Sequence, residues 1–185
     1  KTTNFYFIFL LICLQGFIGW YMVSSGLINR VDVSHYRLAL HLLLAFIILS
    51  LILWNYFNYI NVKPPTQKIN KFLPLFFIFF LFVQIIIGAF VSGMDAGKIY
   101  NSWPLMDGSF FPDDNLINSF FSFSTLNEPA LVQFIHRNLA YVILIFYLYI
   151  LFKIYKAKLF NYFKIISLIG GLLFFQITYN STSMF

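Results

Sequence analysis

Residues 38–60 read LALHLLLAFIILSLILWNYFNYI, a run without one formal charge and with a single histidine, His41, near its start. A helix that crosses a bilayer needs roughly 20 predominantly apolar residues, and this run is long enough. A histidine in hydrocarbon is costly unless something binds it, so His41 is a functional-site candidate by default. Four other stretches have comparable length, at 5–23, 72–91, 130–152 and 159–178, and Lys164 interrupts the last of them. With 61% hydrophobic residues, 10% charged residues and a mean hydropathy of +0.82, the chain cannot be a soluble domain. The expected fold class is an all-α integral membrane protein with five transmembrane helices.

The distribution of charge sets the expected orientation. Lys63, Lys68 and Lys71 share one short loop and Lys153, Lys156, Lys158 and Lys164 another, whereas residues 95–128 hold Asp95, Asp107, Asp113, Asp114 and Glu128 against Lys98 alone. Cytoplasmic loops carry the lysine and arginine excess. The two lysine loops, with Lys1, are therefore expected on the cytoplasmic side of a bacterial inner membrane, or on the matrix side if the membrane is mitochondrial. The acidic loop then faces outward. The net charge of +6 is used up in this way, and no basic patch remains for nucleic acid. Cys13 is the one cysteine, so neither a disulfide nor a cysteine metal cluster is expected, and it reads as a small packing residue. The chain opens on Lys1 without a basic leader or cleavage motif and its last apolar run stops at a polar tail, which reads as an internal piece of a longer protein with helices missing at both ends.

An internal repeat organises the apolar segments. The first contains Gln15-Gly16-Phe17-Ile18-Gly19 followed by Ser25-Gly26, the third contains Gln84-Ile85-Ile86-Ile87-Gly88 followed by Ser92-Gly93, and the fifth carries Gln176. The segment after the first repeat carries His41 and the segment after the second carries His136. The unit is a helix pair, with glutamine on the first member and histidine on the second. In a membrane bundle such glutamines hydrogen-bond across helices while small residues allow close approach, and that reading is preferred to a catalytic one.

His41 follows Ser34, and His136 follows Pro129, by seven residues, about 10 Å along each helix at 1.5 Å per residue. The two imidazoles are thus expected at similar depth near the outer leaflet. An imidazole nitrogen is a good axial ligand for haem iron, and facing helices are a usual place for such a site. Arg37, one turn before His41, and Arg137, directly after His136, stand where haem propionates would meet the interface, and the planar guanidinium suits carboxylates. The alternative for each histidine is an interhelical hydrogen bond without metal. His35, at the mouth of its helix, reads as structural or solvated. Residues 93–108, GMDAGKIYNSWPLMDG, are too aromatic for a plain linker and too polar to span. They could anchor at the headgroups through Tyr100 and Trp103 or cover the outer end of a haem pocket.

The run from Gly93 through Asp107, the phrase Phe134-Ile135-His136-Arg137 leading into Ala140-Tyr141, and Ser34-His35-Tyr36-Arg37-Leu38-Ala39-Leu40-His41 together resemble the heme A synthase family, in the branch shared by mitochondria and alphaproteobacteria. The resemblance runs from about Gln15 to about Gln176. It implies an eight-helix bundle made of two pseudo-symmetric four-helix halves, of which this chain holds helices three to seven. Residues 1–62 would be the second helix pair of the N-terminal half, 63–71 a cytoplasmic linker, and 72–185 the first three helices of the C-terminal half, including the outer loop 94–129.

The activity implied is oxidation of a methyl group of haem O to the formyl group of haem A, for cytochrome c oxidase biogenesis. His41 with Arg37 would bind the substrate haem, which a haem O synthase supplies, and His136 with Arg137 a haem b cofactor, both histidines as axial ligands of iron. The family's proposed catalytic glutamate would precede Lys1, so the fragment alone is expected to be inactive. A homo-oligomer and an unidentified electron-transfer partner are compatible with this reading. An electron-transfer cytochrome with one haem between His41 and His136 is the alternative function, and a transporter or assembly factor without haem is a third.

Overall fold

The computed structural model describes residues 2–26, 33–61, 70–112 and 122–182. Lys63, Lys68, Asp113 and Asp114, on which part of the charge argument rests, lie outside the described residues. The described backbone forms five long helices: α1 (Thr2–Gly26), α2 (His35–Tyr59), α3 (Phe72–Gly93), α4 (Pro129–Lys156) and α5 (Phe160–Thr182). Two single turns of 3₁₀-helix, Ala96–Lys98 and Phe123–Asn127, lie between α3 and α4. No strand occurs among the described residues.

Four helices contain stretches long and apolar enough to cross a membrane, Asn4–Ser24, His35–Tyr59, Phe72–Gly93 and Pro129–Lys156. In α5 the apolar stretch, Tyr162–Gln176, is shorter, with the charge of Lys164 near its start. The whole of α5 has 23 residues, roughly 35 Å at 1.5 Å per residue. The chain is an integral membrane protein.

The helix ends follow from local chemistry. Pro129 opens α4, where its missing N–H costs nothing, and the Asn70 side chain accepts from Phe72 N at 3.1 Å at the start of α3. At the end of α4 the amide of Leu159 donates to Ile154 O at 3.1 Å and that of Lys158 to Tyr155 O at 3.0 Å, with Lys158 at φ 53°. This is the double bond pattern of a Schellman motif, with lysine in the left-handed position that glycine usually takes. Lys153 and Lys156 in that last turn complement the negative end of the helix dipole.

The helices group into two compact units. One comprises 1–65 with 85–94, the other 66–84 with 95–185, and the continuous helix α3 contributes to both. In the first unit α1 packs on α2, tied at one end by Asn4 Nδ2 donating to Asn55 Oδ1 at 3.2 Å. His35 packs against the edge of Phe90, ring centroids 5.2 Å apart, and a side chain at Gly93 would collide with the His35 backbone. His35 is thus a packing residue of the close α2–α3 approach. Cys13 is exposed on α1 and not a core packing residue. It shares the exposed surface of α1 with Phe9, Phe17 and Trp20.

The second unit has a core of Phe77, Ile143, Tyr147, Ile150, Ile154 and Leu159. The Tyr147 hydroxyl donates to Ile166 O on α5 at 3.0 Å, a polar tie that hydrocarbon cannot replace. Gly170 makes room for it, because a Cβ there would overlap that hydroxyl. Gly170→Ala is therefore expected to cost about 1–3 kcal/mol by stranding a buried hydroxyl and overpacking the contact. Thermal unfolding in detergent should show the loss, while Gly171→Ala, whose Cβ meets nothing within 4 Å, should leave the midpoint unchanged.

Candidate functional site

Each unit brings one glutamine to one histidine, and the geometry is the same in both. In the first, Gln15 Nε2 of α1 lies 3.2 Å from His41 Nε2 and donates to His41 O at 3.0 Å. In the second, Gln84 Nε2 of α3 lies 3.3 Å from His136 Nε2 and donates to His136 O at 3.2 Å. One amide nitrogen thus spends both its N–H groups on one partner residue, one on the backbone carbonyl and one on the ring. The facing ring nitrogen must then accept, which puts the imidazole proton on Nδ1, a tautomer assigned from the hydrogen-bond network. Gln15 Oε1, Gln84 Oε1, His41 Nδ1 and His136 Nδ1 are all buried without a hydrogen-bond partner. A buried polar atom left unsatisfied costs about 1–3 kcal/mol, and these four recur as matched pairs.

Gly19 lies one turn after Gln15 on the same face of α1. A Cβ at Gly19 would sit 3.0 Å from His41 Cε1 and 3.6 Å and 3.7 Å from its two ring nitrogens. The absence of a side chain is what lets the imidazole lie against the helix. The sequence repeat is therefore a contact: glutamine reaches the histidine of the next helix, and in the first unit its neighbouring glycine seats the ring. The interhelical hydrogen bonding expected of the glutamines is present. That their partners are the histidines themselves was not legible from spacing.

The arginines differ between units. The Arg37 guanidinium carbon lies 5.0 Å from the centroid of the Tyr21 ring, a cation–π contact. Arg137 turns to the loop after α3, donating from Nη1 to Ser102 O at 2.9 Å and from Nη2 to Tyr100 O at 2.7 Å. Gln133 adds a bond from Nε2 to Tyr100 O at 3.0 Å, and Tyr141 OH accepts from Trp103 Nε1 at 3.0 Å. Gln133, Arg137 and Tyr141 are four apart and form one stripe on α4, next to the face that carries His136. Tyr100 and Trp103, read from the sequence as headgroup anchors, thus also dock directly on α4, a contact the sequence reading did not include.

The loop is also ordered from within. Met106 and Ser109 exchange two backbone bonds, at 2.8 Å and 3.2 Å, around Asp107 at φ 51° and Gly108 at φ 86°, left-handed positions suited to an Asp-Gly turn. Met106 is 2% exposed. Phe110 and Phe111 meet Phe134 of α4 edge-on at 5.6 Å and 5.1 Å. The exposed Lys98–Asp95 pair at 2.9 Å adds little. Sequence reasoning missed Gln133, which is 4% exposed, and Tyr141, whose four-residue spacing around Arg137 was the available signal.

Among the described residues no group of three or more His, Cys, Asp or Glu side chains could hold a metal ion. An iron at either histidine would need to bring most of its ligands with it, as a porphyrin does.

Comparison with known proteins follows this geometry. Residues 1–179 match the COX15-CtaA family, described as cytochrome oxidase assembly protein. A protein named heme A synthase from Pelagibacter ubique (strain HTCC1062) is 47% identical over 176 residues, 95% of this chain and 52% of the relative. Others of that name from Rickettsia bellii (strain RML369-C) and Wolbachia pipientis wMel are 44% and 46% identical, over 84% and 71% of this chain and 47% and 39% of theirs. The chain spans about half the length of the curated relatives it matches. No solved structure matches it.

Proposed function

We propose, on the premise that this chain belongs to the COX15-CtaA family of cytochrome oxidase assembly proteins, that it forms the central part of a heme A synthase. The full protein would oxidise a methyl group of the substrate haem O to the formyl group of haem A. The observation that carries the reading is the pair of matched glutamine–histidine contacts, each of which leaves a histidine Nε2 as an unprotonated acceptor.

The residues fit a haem. A half-buried imidazole whose Nε2 lone pair is held only by a glutamine amide hydrogen, beside a glycine in the first unit, is the kind of donor a haem iron takes. His41, with Arg37 for the propionates, would bind the substrate haem O, and His136 would hold a haem b cofactor. A bound haem supplies the redox capacity that side chains lack. What the chain itself does is bind and orient. The glutamines fix the rings, Gly19 seats one of them, and the apolar helix walls exclude water. Arg137 serves the His136 site by pinning the loop beside it, while its role toward the haem propionates belongs to the same proposal.

The halves would correspond to 1–62 and 72–185 joined by 63–71, in an eight-helix bundle whose outer helices come from the remaining length of the full protein. Lys71, Lys153, Lys156 and Lys158 would face the cytoplasm of a bacterial inner membrane. The full-length protein, produced with a haem O supply in cells lacking their own synthase, should yield haem A on extraction and chromatography. Retention of b-type haem with no haem A would contradict the synthase reading and favour an electron-transfer cytochrome.

A further inference from the structure

We propose that Gln15 and Gln84 are positioning residues that act as placeholders for iron. In the haem-free protein each holds the Nε2 lone pair of its histidine and thereby selects the ring tautomer able to ligate. The inference rests on the haem reading above and adds residues to it.

The argument starts from the donor count. A glutamine amide nitrogen has two hydrogens, and here one goes to the histidine's own carbonyl, at 3.0 Å and 3.2 Å in the two units, and the other to Nε2, at 3.2 Å and 3.3 Å. The carbonyl bond settles which end of the amide faces the histidine, since an oxygen there would oppose another oxygen. With the amide nitrogen so placed, Nε2 cannot carry a proton. A free neutral imidazole prefers its proton on Nε2, which would leave that nitrogen without a lone pair for a metal. The glutamine reverses the preference and leaves Nε2 deprotonated, neutral and pointed.

Iron binding then needs no proton to leave the ring. The glutamine would give up its bond to Nε2, leaving that lone pair for a metal, and keep its bond to the backbone carbonyl. Outer partners that set the tautomer and orientation of a ligating histidine affect metal affinity by about 10–100-fold. Two separate units show the same contact on the same atoms, with the same orphaned Oε1 and Nδ1. The contact is thus a kept part of the repeating unit and not a detail of one helix pair.

The test uses the full-length protein in lipid nanodiscs, prepared from haem-deficient cells, with histidine-selective ¹⁵N labelling. For wild type we expect His41 and His136 with Nδ1 protonated and Nε2 a hydrogen-bonded acceptor. Gln15→Met should return only His41 to the Nε2-protonated form, and Gln84→Met only His136, each site serving as the other's control for folding. Gln84→Glu, whose carboxylate accepts where the amide donates, should put a proton on Nε2 of His136 and lower haem retention about tenfold or more. Nε2-protonated rings in the haem-free wild type, or tautomers unmoved by the methionine variants, would overturn the proposal. These readouts need no haem. If the tautomers behave as expected but added haem leaves both rings unchanged, the haem reading fails, and with it the placeholder role for iron.

Discussion

Replacing either proposed ligand histidine, His41→Ala or His136→Ala, is expected to lower haem A formation by the full-length protein more than about a hundredfold, since losing an axial ligand should exceed the 10–100-fold effect of losing its outer partner. The variants should remain folded, and the structure gives the reason. Gln15 and Gln84 each bond the backbone carbonyl of the histidine as well as its ring, and alanine keeps that carbonyl. The helix pair stays tied while the imidazole is lost. A fall in activity with an unchanged melting profile would locate the effect at the site. Activity within a few-fold of wild type in either variant would remove that histidine from the haem site.

The second large effect concerns the loop of the C-terminal unit. Arg137→Ala removes two charge-assisted bonds, to Tyr100 O and Ser102 O, each about 1.5–3 kcal/mol when the donor is charged. Tyr100 O would keep its bond from Gln133. The segment from Tyr100 to Met106 should then open, and limited proteolysis on the loop side should cut it at least tenfold faster. Arg137→Lys should not restore protection, because a point-like ammonium on a flexible stem cannot serve two carbonyls through a planar fork. Trp103→Phe, which removes only the bond to Tyr141, should have a much smaller effect. Equal protease resistance in wild type and Arg137→Ala would show that the arginine does not hold the loop.

The helices were legible because their signals are local. Apolar runs gave five expected spans, four of which form helices long and apolar enough to cross a membrane, and the repeat of Gln15 with Gly19 and Gln84 with Gly88 marked the two helix pairs. The meeting of Gln15 with His41 was not legible, because periodicity gives the face of one helix but not which residue of an antiparallel neighbour stands opposite. Arg137 shows the limit from another side. Its neighbour His136 suggested a propionate partner, and the bonds the structure shows go to two backbone carbonyls, groups that every residue carries and no sequence pattern marks; they leave the propionate role a proposal. Tyr147 and Gly170 form a similar case: the tyrosine reads as one more aromatic in an apolar run, and only the packing of α4 on α5 shows that the glycine makes space for its hydroxyl. Cys13 read as a packing residue from its composition alone, yet the helix turns it outward.

The central claim is that each glutamine–histidine pair belongs to a separate haem site. The most direct test is the haem content of the purified full-length protein, made with haem O available, by extraction and chromatography of wild type, His41→Ala and His136→Ala. The account predicts that His136→Ala loses haem b and keeps substrate haem, while His41→Ala loses substrate haem and keeps haem b. Loss of one and the same haem in both variants would mean that His41 and His136 clamp a single group, and would contradict it.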